Sequence, residues 1–154
     1  MNTSNPINVR RATADDAGTI ARFNQAMAVE TEDKAIPIET LQAGVLRMVT
    51  DEALGFYLVA EHKAEVVGCL GITFEWSDWR NGLFWWIQSV YVAPDARALG
   101  VFTAMYEHVA NLASQAVGVI GLRLYADADN ERAIRTYHRL GMVTTDYKLL
   151  EVVF

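Results

Sequence analysis

Cysteine is almost absent from this chain, since Cys69 is the only one among 154 residues. A single thiol cannot form a disulfide within the chain, which excludes a disulfide-stapled scaffold and suits a reducing compartment such as the cytoplasm. Cys69 lies in an apolar, strand-like run. This position predicts a buried, unreactive thiol and not a nucleophile.

Long apolar runs and excess positive charge are also missing. Runs such as residues 66–73 are too short to span a bilayer, and the first six residues lack the basic and apolar regions of a signal peptide. The net charge of −6 argues against a nucleic-acid surface and mildly favours a cationic or amine substrate. No histidine, cysteine or acidic residues stand at metal-ligand spacing. We therefore expect a cytoplasmic protein that binds no nucleic acid, membrane or metal.

The pattern that is present alternates strands with helices. Period-2 and continuous apolar stretches predict strands near residues 7–11, 56–61, 65–74, 83–92, 120–126 and 146–154. Thr13 and Asp16 match a capping box, which predicts the start of the first helix. Helical spacing follows Thr13, Pro37 and Leu99, and covers residues 130–140. The strand at 83–92 is apolar at odd and even positions, which predicts a central strand buried on both faces. Without linkers or repeats, the chain is expected to form one α/β domain (α+β in some classifications) over residues 1–154.

A strand, a glycine-containing turn and a helix meet at Arg97 and Gly100. The first N–H groups of a helix have no acceptor within the helix and lie at the positive end of its dipole, so they can hold a phosphate. Arg97 adds a cation, and Gly100 lets backbone approach a ligand closely. These residues favour a nucleotide-type cofactor, although many strand-to-helix loops contain an Arg and a Gly.

A second motif places Asn130 and Tyr137 seven residues apart, on the same face of a short helix. Such a polar pair can line a cleft beside the preceding strand. Alternatively, Asn130 caps the helix and Tyr137 packs in the core.

Together the two segments carry a family resemblance. Arg97-Ala98-Leu99-Gly100-Val101 resembles motif A of the GNAT N-acetyltransferases, and Asn130-x-x-Ala133-x-x-x-Tyr137-x-x-x-Gly141 resembles their motif B. The resemblance implies the GNAT fold: a mixed, mostly antiparallel sheet of six to seven strands, about four helices, and a splayed strand pair that holds acetyl-CoA. It also implies acetyl transfer from the thioester to a primary amine of a small molecule or peptide.

Two residues depart from motif A. Ala98 stands where glycine is common, so the loop must turn without a left-handed residue there. Phe102 stands where the motif has Gly or Ala, so its ring must point away from the pyrophosphate.

The resemblance also implies roles for individual residues. Backbone groups of Val90 and Val92 would pair with the pantetheine arm, and an N–H near Val90 would stabilise the oxyanion. Tyr137 would be the general acid, because a phenol with a reference pKa near 10 stays protonated at neutral pH. The residues expected at the cofactor are Val90, Tyr91, Val92, Arg97, Ala98, Leu99, Gly100, Val101, Phe102, Thr103, Asn130, Ala133, Tyr137 and Arg139.

The acceptor side is less defined. Glu75 is the candidate general base, unless water carries the proton away. Glu30 and Glu32 could attract a cationic acceptor, and Trp76 and Trp79 could form a wall for it; solvated charges, core packing or a homodimer interface are the competing interpretations. The competing function is a non-catalytic acyl-CoA-binding sensor or regulatory module.

Overall fold

The computed structural model describes residues 6–154. The first five residues, which belong to the stretch where the sequence predicts no signal peptide, lie outside this range. The described chain forms two compact units, of which the first ends at Leu124 and the second is Tyr125–Phe154.

The first unit is built on a five-stranded sheet. Its strands are β1 (Asn8–Arg11), β2 (Phe56–His62), β3 (Glu65–Ser77), β4 (Gly82–Val92) and β5 (Val119–Leu124), in the spatial order β1-β2-β3-β4-β5. Neighbours are antiparallel except for β4 and β5, which are parallel. The predicted mixed, mostly antiparallel sheet is therefore confirmed, but with five strands and not six to seven.

Helices cover both faces of this sheet. These are α1 (Ala17–Glu32), α2 (Ile38–Thr50) and α3 (Val101–Gln115). On one face Ile20 and Val45 pack with Val59 and Cys69, all of them buried. The strand residues that alternate with these point to the other face of the sheet, where α3 packs. Four residues of α3, spaced four apart, are buried there: Val101, Met105, Val109 and Ala113. β4 lies between β3 and β5 and contacts both α1 and α3, as predicted for an inner strand, but only its Gly82, Trp85, Ile87 and Tyr91 are buried.

The predicted capping of the first helix is confirmed. The backbone N–H of Thr13 donates to Asp16 Oδ2 at 2.8 Å, and Asp16 closes a short 3₁₀ turn that leads into α1. Arg10 of β1 holds the same carboxylate through two hydrogen bonds of 2.8 and 2.9 Å, which lower the pKa of Asp16. The helix start is thus fastened to the edge of the sheet.

The second unit contains one helix, α4 (Glu131–Arg139). The predicted strand at 146–154 is wrong, because no strand forms after Leu124 in the described part of the chain. A strand requires backbone hydrogen bonds to a neighbouring strand, and propensity alone does not supply them. None of the helices within residues 6–154 has the length and apolar character needed to cross a membrane.

Candidate active site

A β-bulge interrupts β4 close to its carboxyl end. Cys69 pairs with Tyr91 and Gly71 pairs with Gln88, so two residues of β4, Ser89 and Val90, oppose a single residue of β3. Ser89 has a φ of 52°, in the left-handed region, which turns the backbone locally away from the regular ladder. We did not predict the bulge from the sequence. Its only signal was the polar pair at 88–89 inside an apolar strand.

Strands β4 and β5 stop pairing just before the bulge. Their last registered pair is Ile87 with Leu124, whereas β4 continues to Val92 beside β3. Residues 88–92, about 17 Å of strand, therefore have no strand partner on the β5 side within the described chain. Backbone groups along such an edge can pair with an extended ligand.

The loop after β4 leads directly to the start of α3. Gly100 precedes the helix with a φ of 74°, and the Ala104 N–H donates to the Gly100 carbonyl at 3.1 Å. The first-turn amides at 101–103 come before this bond and lie at the positive end of the helix dipole. The Leu99 N–H instead donates to the Ala96 carbonyl at 3.1 Å, so this amide is used inside the loop.

The structure shows the backbone at Ala98 and the ring contact of Phe102, the two residues that depart from motif A. Ala98 is not among the described residues with positive φ, so only Gly100 takes the left-handed conformation in this turn. The Phe102 ring lies 6.2 Å from the ring of Tyr106, one helical turn later, and so points along α3.

Arg97 joins this edge to the end of α1. Its Nη2 donates to Glu30 Oε2 at 2.7 Å, and its Nε donates to the Val92 carbonyl at 3.0 Å. The Tyr91 hydroxyl donates to the other oxygen of Glu30 at 3.3 Å. Burial, followed by the Glu30 charge, raises the pKa of Tyr91. Residues predicted for the donor and for the acceptor therefore form one cluster.

Cys69 lies under the bulge. Its side chain is fully buried, and its Sγ donates to the Ser89 carbonyl at 3.5 Å. Burial raises the pKa of the Cys69 thiol to about 12. The predicted burial of Cys69 is confirmed.

The structure does not bring the candidate base and the tryptophans to the bulge. Glu75 opposes Phe84 and Trp76 opposes Leu83, six and seven residues along β4 from Val90, which is about 20 Å. The Glu75 carboxylate forms an ion pair with Arg123, whose guanidinium lies 3.6 Å from the centre of the Phe84 ring. Trp76 and Trp79 are 60% and 86% exposed. Glu75 was chosen as the candidate base because it lies beside the aromatic loop in sequence, but that loop is at the opposite end of β4 from the bulge.

Glu32 is exposed and pairs locally with Lys34, at 2.6 Å between Oε2 and Nζ. Of the two acidic residues proposed for the acceptor, only Glu30 contacts β4 and its following loop.

The second motif is arranged on α4. Asn130 Oδ1 accepts a hydrogen bond from the Ala133 N–H at 3.1 Å, so the capping interpretation of Asn130 is confirmed. Tyr137 is half-buried, and burial raises the pKa of its phenol. Its hydroxyl therefore stays protonated at neutral pH. Arg139 Nη2 donates to Thr136 Oγ1 at 3.3 Å.

A cavity of about 490 Å³ lies between the sheet and α3. It contains none of the predicted site residues and is lined mainly by apolar side chains: Arg11, Glu52, Phe56, Leu58, Phe74, Trp85, His108, Leu112 and Ala116. Over residues 6–154, no three His, Cys, Asp or Glu side chains are grouped to hold a metal ion.

Comparison with known proteins agrees with this fold and these motifs. The model of the acetyltransferase (GNAT) family matches residues 22–142. A possible acetyltransferase from Clostridium difficile 630 is 40% identical, with a TM-score of 0.90 over 96% of this chain and 97% of that chain. No curated protein sequence matches the chain.

More distant structures share the fold. A ribosomal-protein-alanine N-acetyltransferase from Brucella melitensis biovar Abortus 2308 is 17% identical, with a TM-score of 0.77 over 97% of this chain and 99% of that chain. A predicted acetyltransferase from Clostridium acetobutylicum, solved with acetyl-CoA, is 18% identical with a TM-score of 0.77 over 96% of each chain. The family model and the 40% identical structure from Clostridium difficile 630 together show that the chain belongs to the GNAT family of acetyltransferases.

Proposed function

We propose that the protein transfers an acetyl group from acetyl-CoA to a primary amine of a small molecule or peptide. One observation carries this proposal. The bulge at 89–90 lies on a β4 edge that has no partner on the β5 side, and this edge leads directly to the first turn of α3. A single continuous surface thus offers strand-like hydrogen bonds followed by an anion site.

The residues fit the donor part by part. An extended amide chain such as pantetheine can pair with residues 88–92, and the first turn of α3 can take the pyrophosphate. Arg97 donates hydrogen bonds from two of its five N–H groups, to Glu30 and to the Val92 carbonyl, and its side chain is about half exposed. It can therefore contact a phosphate without leaving Glu30.

The transfer step follows from these groups. The uncharged amine nitrogen attacks the thioester carbon, and the Val90 N–H stabilises the negative charge that develops on the oxygen. The carbon–sulfur bond then breaks, and the Tyr137 phenol gives its proton to the departing thiolate. The amine's own proton leaves through water, because Glu75 is about 20 Å along the strand from Val90 and is paired with Arg123.

Glu30 is our candidate for attracting a cationic acceptor. Its carboxylate is held at the end of β4 by Arg97 and Tyr91 but remains partly exposed. We propose in addition that the two compact units act as one acetyltransferase domain, since the matched region at 22–142 crosses the boundary at 124–125. The single free thiol supports a cytoplasmic location. The exposed side chains of Trp76 and Trp79 support a homodimer.

The proposed function is tested by the release of free CoA thiol from acetyl-CoA across amines, polyamines, amino acids and peptides. Binding of acetyl-CoA is measured separately by calorimetry. We expect saturable binding, and thiol release that depends on at least one amine and exceeds the amine-free blank. Binding without turnover on any amine would favour the sensor function. The absence of binding would exclude both.

A further inference from the structure

The hairpin between β3 and β4 presents two exposed aromatic side chains at its tip. Trp76 and Trp79 are 60% and 86% exposed. The tip is a defined turn, in which the Arg80 N–H donates to the Ser77 carbonyl at 3.2 Å. A tryptophan side chain offers a large contact area at a low cost in conformational freedom, and tryptophan is enriched at the energetic centres of interfaces. Trp79 therefore has the properties of an interface anchor.

The cavity between the sheet and α3 can accept such a side chain, and all of its lining residues belong to the first unit. Its walls include the rings of Phe56, Phe74 and Trp85, and the Phe56 and Trp85 rings meet edge to face with their centres 5.3 Å apart. Its volume of about 490 Å³ is typical of sites that take small aromatic molecules. Trp76 follows Phe74 by two residues on β3, so both lie on this face of the sheet.

The charges around the tip and the cavity are complementary. Asp78 and Arg80 flank Trp79 in the sequence, and all three are exposed. Arg11 and Glu52 line the cavity and form an ion pair of 3.5 Å, with side chains that are 55% and 87% exposed. A tip that enters this cavity in another copy can bring Asp78 to Arg11. The same entry brings Arg80 to Glu52, so each charge gains an opposite neighbour.

We propose that the protein forms a twofold dimer in which Trp79 of each copy inserts into the cavity between the sheet and α3 of the other. Reciprocal insertion uses the same surface in both copies and closes the assembly at two. The exposed parts of Trp76 and Trp79 supply about 300 Å² of apolar area per copy. A standard interface buries about 800 Å² per partner, of which somewhat more than half is apolar. The cavity walls add to this apolar area. This inference rests on the proposed homodimer but not on acetyl transfer.

Cross-linking between two differently tagged variants tests which surfaces meet. Arg80→Cys places a thiol on the tip, and Ala53→Cys places one beside Glu52 at the cavity; both positions are exposed. The two proteins are mixed, allowed to exchange subunits and treated with a short bismaleimide. Because the thiols are on separate chains, every link joins two copies. Insertion predicts covalent heterodimers, whereas a dimer without this link would overturn the proposed surface and leave the homodimer standing.

Three controls accompany the cross-linking. Arg80→Cys alone and Ala53→Cys alone report tip-to-tip and rim-to-rim contacts, and links in either at the level of the mixture would contradict the proposal. Arg22→Cys, at an exposed position of α1, replaces Ala53→Cys in the third control and is expected to give no heterodimer with Arg80→Cys. Cys69 is buried in every variant and is not expected to react.

The mass in solution tests the anchor itself. We expect the unmodified chain to be a dimer by light scattering at micromolar concentration. Trp79→Ala removes the inserted ring and is expected to raise the dissociation constant by about 30-fold or more, whereas Trp79→Phe keeps a ring and should dissociate less. Ala116→Phe fills the cavity from its own wall and is expected to weaken the dimer as well. Circular dichroism checks that each variant is folded.

The outcomes separate this inference from the proposals on which it builds. A monomeric unmodified chain would overturn both the insertion and the homodimer, and would leave the cavity to a small apolar ligand. A dimer whose dissociation constant is the same with Trp79→Ala would overturn the insertion alone. Neither result bears on the release of CoA thiol, which tests the transfer.

Discussion

Cys69 connects the core to the bulge, and its raised pKa makes folding stability depend on pH. The unfolded chain loses the thiol proton near pH 9, the usual value, whereas the folded chain holds it to about 12. Above pH 9 the unfolded state therefore binds fewer protons, so the free energy of unfolding falls as the pH rises. Between pH 8 and pH 10 this loss is about 1 kcal/mol.

The measurement is urea unfolding of the unmodified protein and of Cys69→Ala at both pH values. The unmodified protein should lose about 1 kcal/mol more than the variant over this interval. A difference between the two proteins that stays constant with pH would show that the thiol is not held protonated in the folded state.

Tyr137 is the residue on which the proposed chemistry depends most. Tyr137→Phe removes the hydroxyl proton and is expected to lower turnover by about 100-fold, the lower end for general acid catalysis. Acetyl-CoA affinity should change little. The matched control, Tyr147→Phe, alters a tyrosine that is 80% exposed and should leave turnover unchanged. Unimpaired turnover of Tyr137→Phe would remove Tyr137 from the mechanism.

For individual residues, the sequence predicted which residues belong to the motifs better than which residues they contact in the fold. Motif A identified Arg97 and Gly100, but the ion pair between Arg97 and Glu30 joins positions 67 residues apart. Such a contact follows from how α1 packs against β4, which no local pattern encodes. The same reasoning explains Glu75, whose partner Arg123 is 48 residues away.

Among the elements, β4 determines the geometry of the proposed site through its bulge. Ser89→Val places a β-branched residue at a φ of 52° and is expected to cost about 1–2 kcal/mol in stability. If the bulge flattens, the Val90 N–H is turned away and turnover falls as well. Ser89→Asn is the matched variant, because asparagine tolerates the left-handed conformation. Thermal unfolding and thiol release that are equal in both variants would contradict this account.

The start of α3 needs glycine at position 100 because of its backbone conformation, and not because a side chain there would clash with neighbouring atoms. A Cβ at Gly100 would meet no atom within 4 Å, but the φ of 74° is strained for alanine. Gly100→Ala should therefore lower stability by about 1 kcal/mol and weaken acetyl-CoA binding. Gly44→Ala, in the exposed interior of α2, should instead stabilise by about 0.5–1 kcal/mol. Unchanged acetyl-CoA affinity in Gly100→Ala would show that this turn does not contribute to the binding of acetyl-CoA.

Helices and paired strands were predicted well where their own sequence patterns determined them. The capping pair Thr13 and Asp16 and the continuous apolar run of β4 are local signals, and both are confirmed. The bulge and the end of β4–β5 pairing depend on register between strands that are distant in sequence. Neither feature changes the periodicity from which strands are recognised.

For the whole molecule, the family was predictable because two separate motifs occur in the right order. The strand count was not, because the segment at 146–154 has strand propensity but no neighbour among the described residues. Propensity and partner are separate requirements for a strand.

The central claim is that one continuous surface, from the free edge of β4 to the first turn of α3, holds acetyl-CoA. Hydrogen–deuterium exchange of the backbone amides, with and without saturating acetyl-CoA, tests it most directly. We predict slower exchange at residues 88–92 and 100–103. Exchange that is unchanged there, or slowed only around the apolar cavity between the sheet and α3, would contradict the claim.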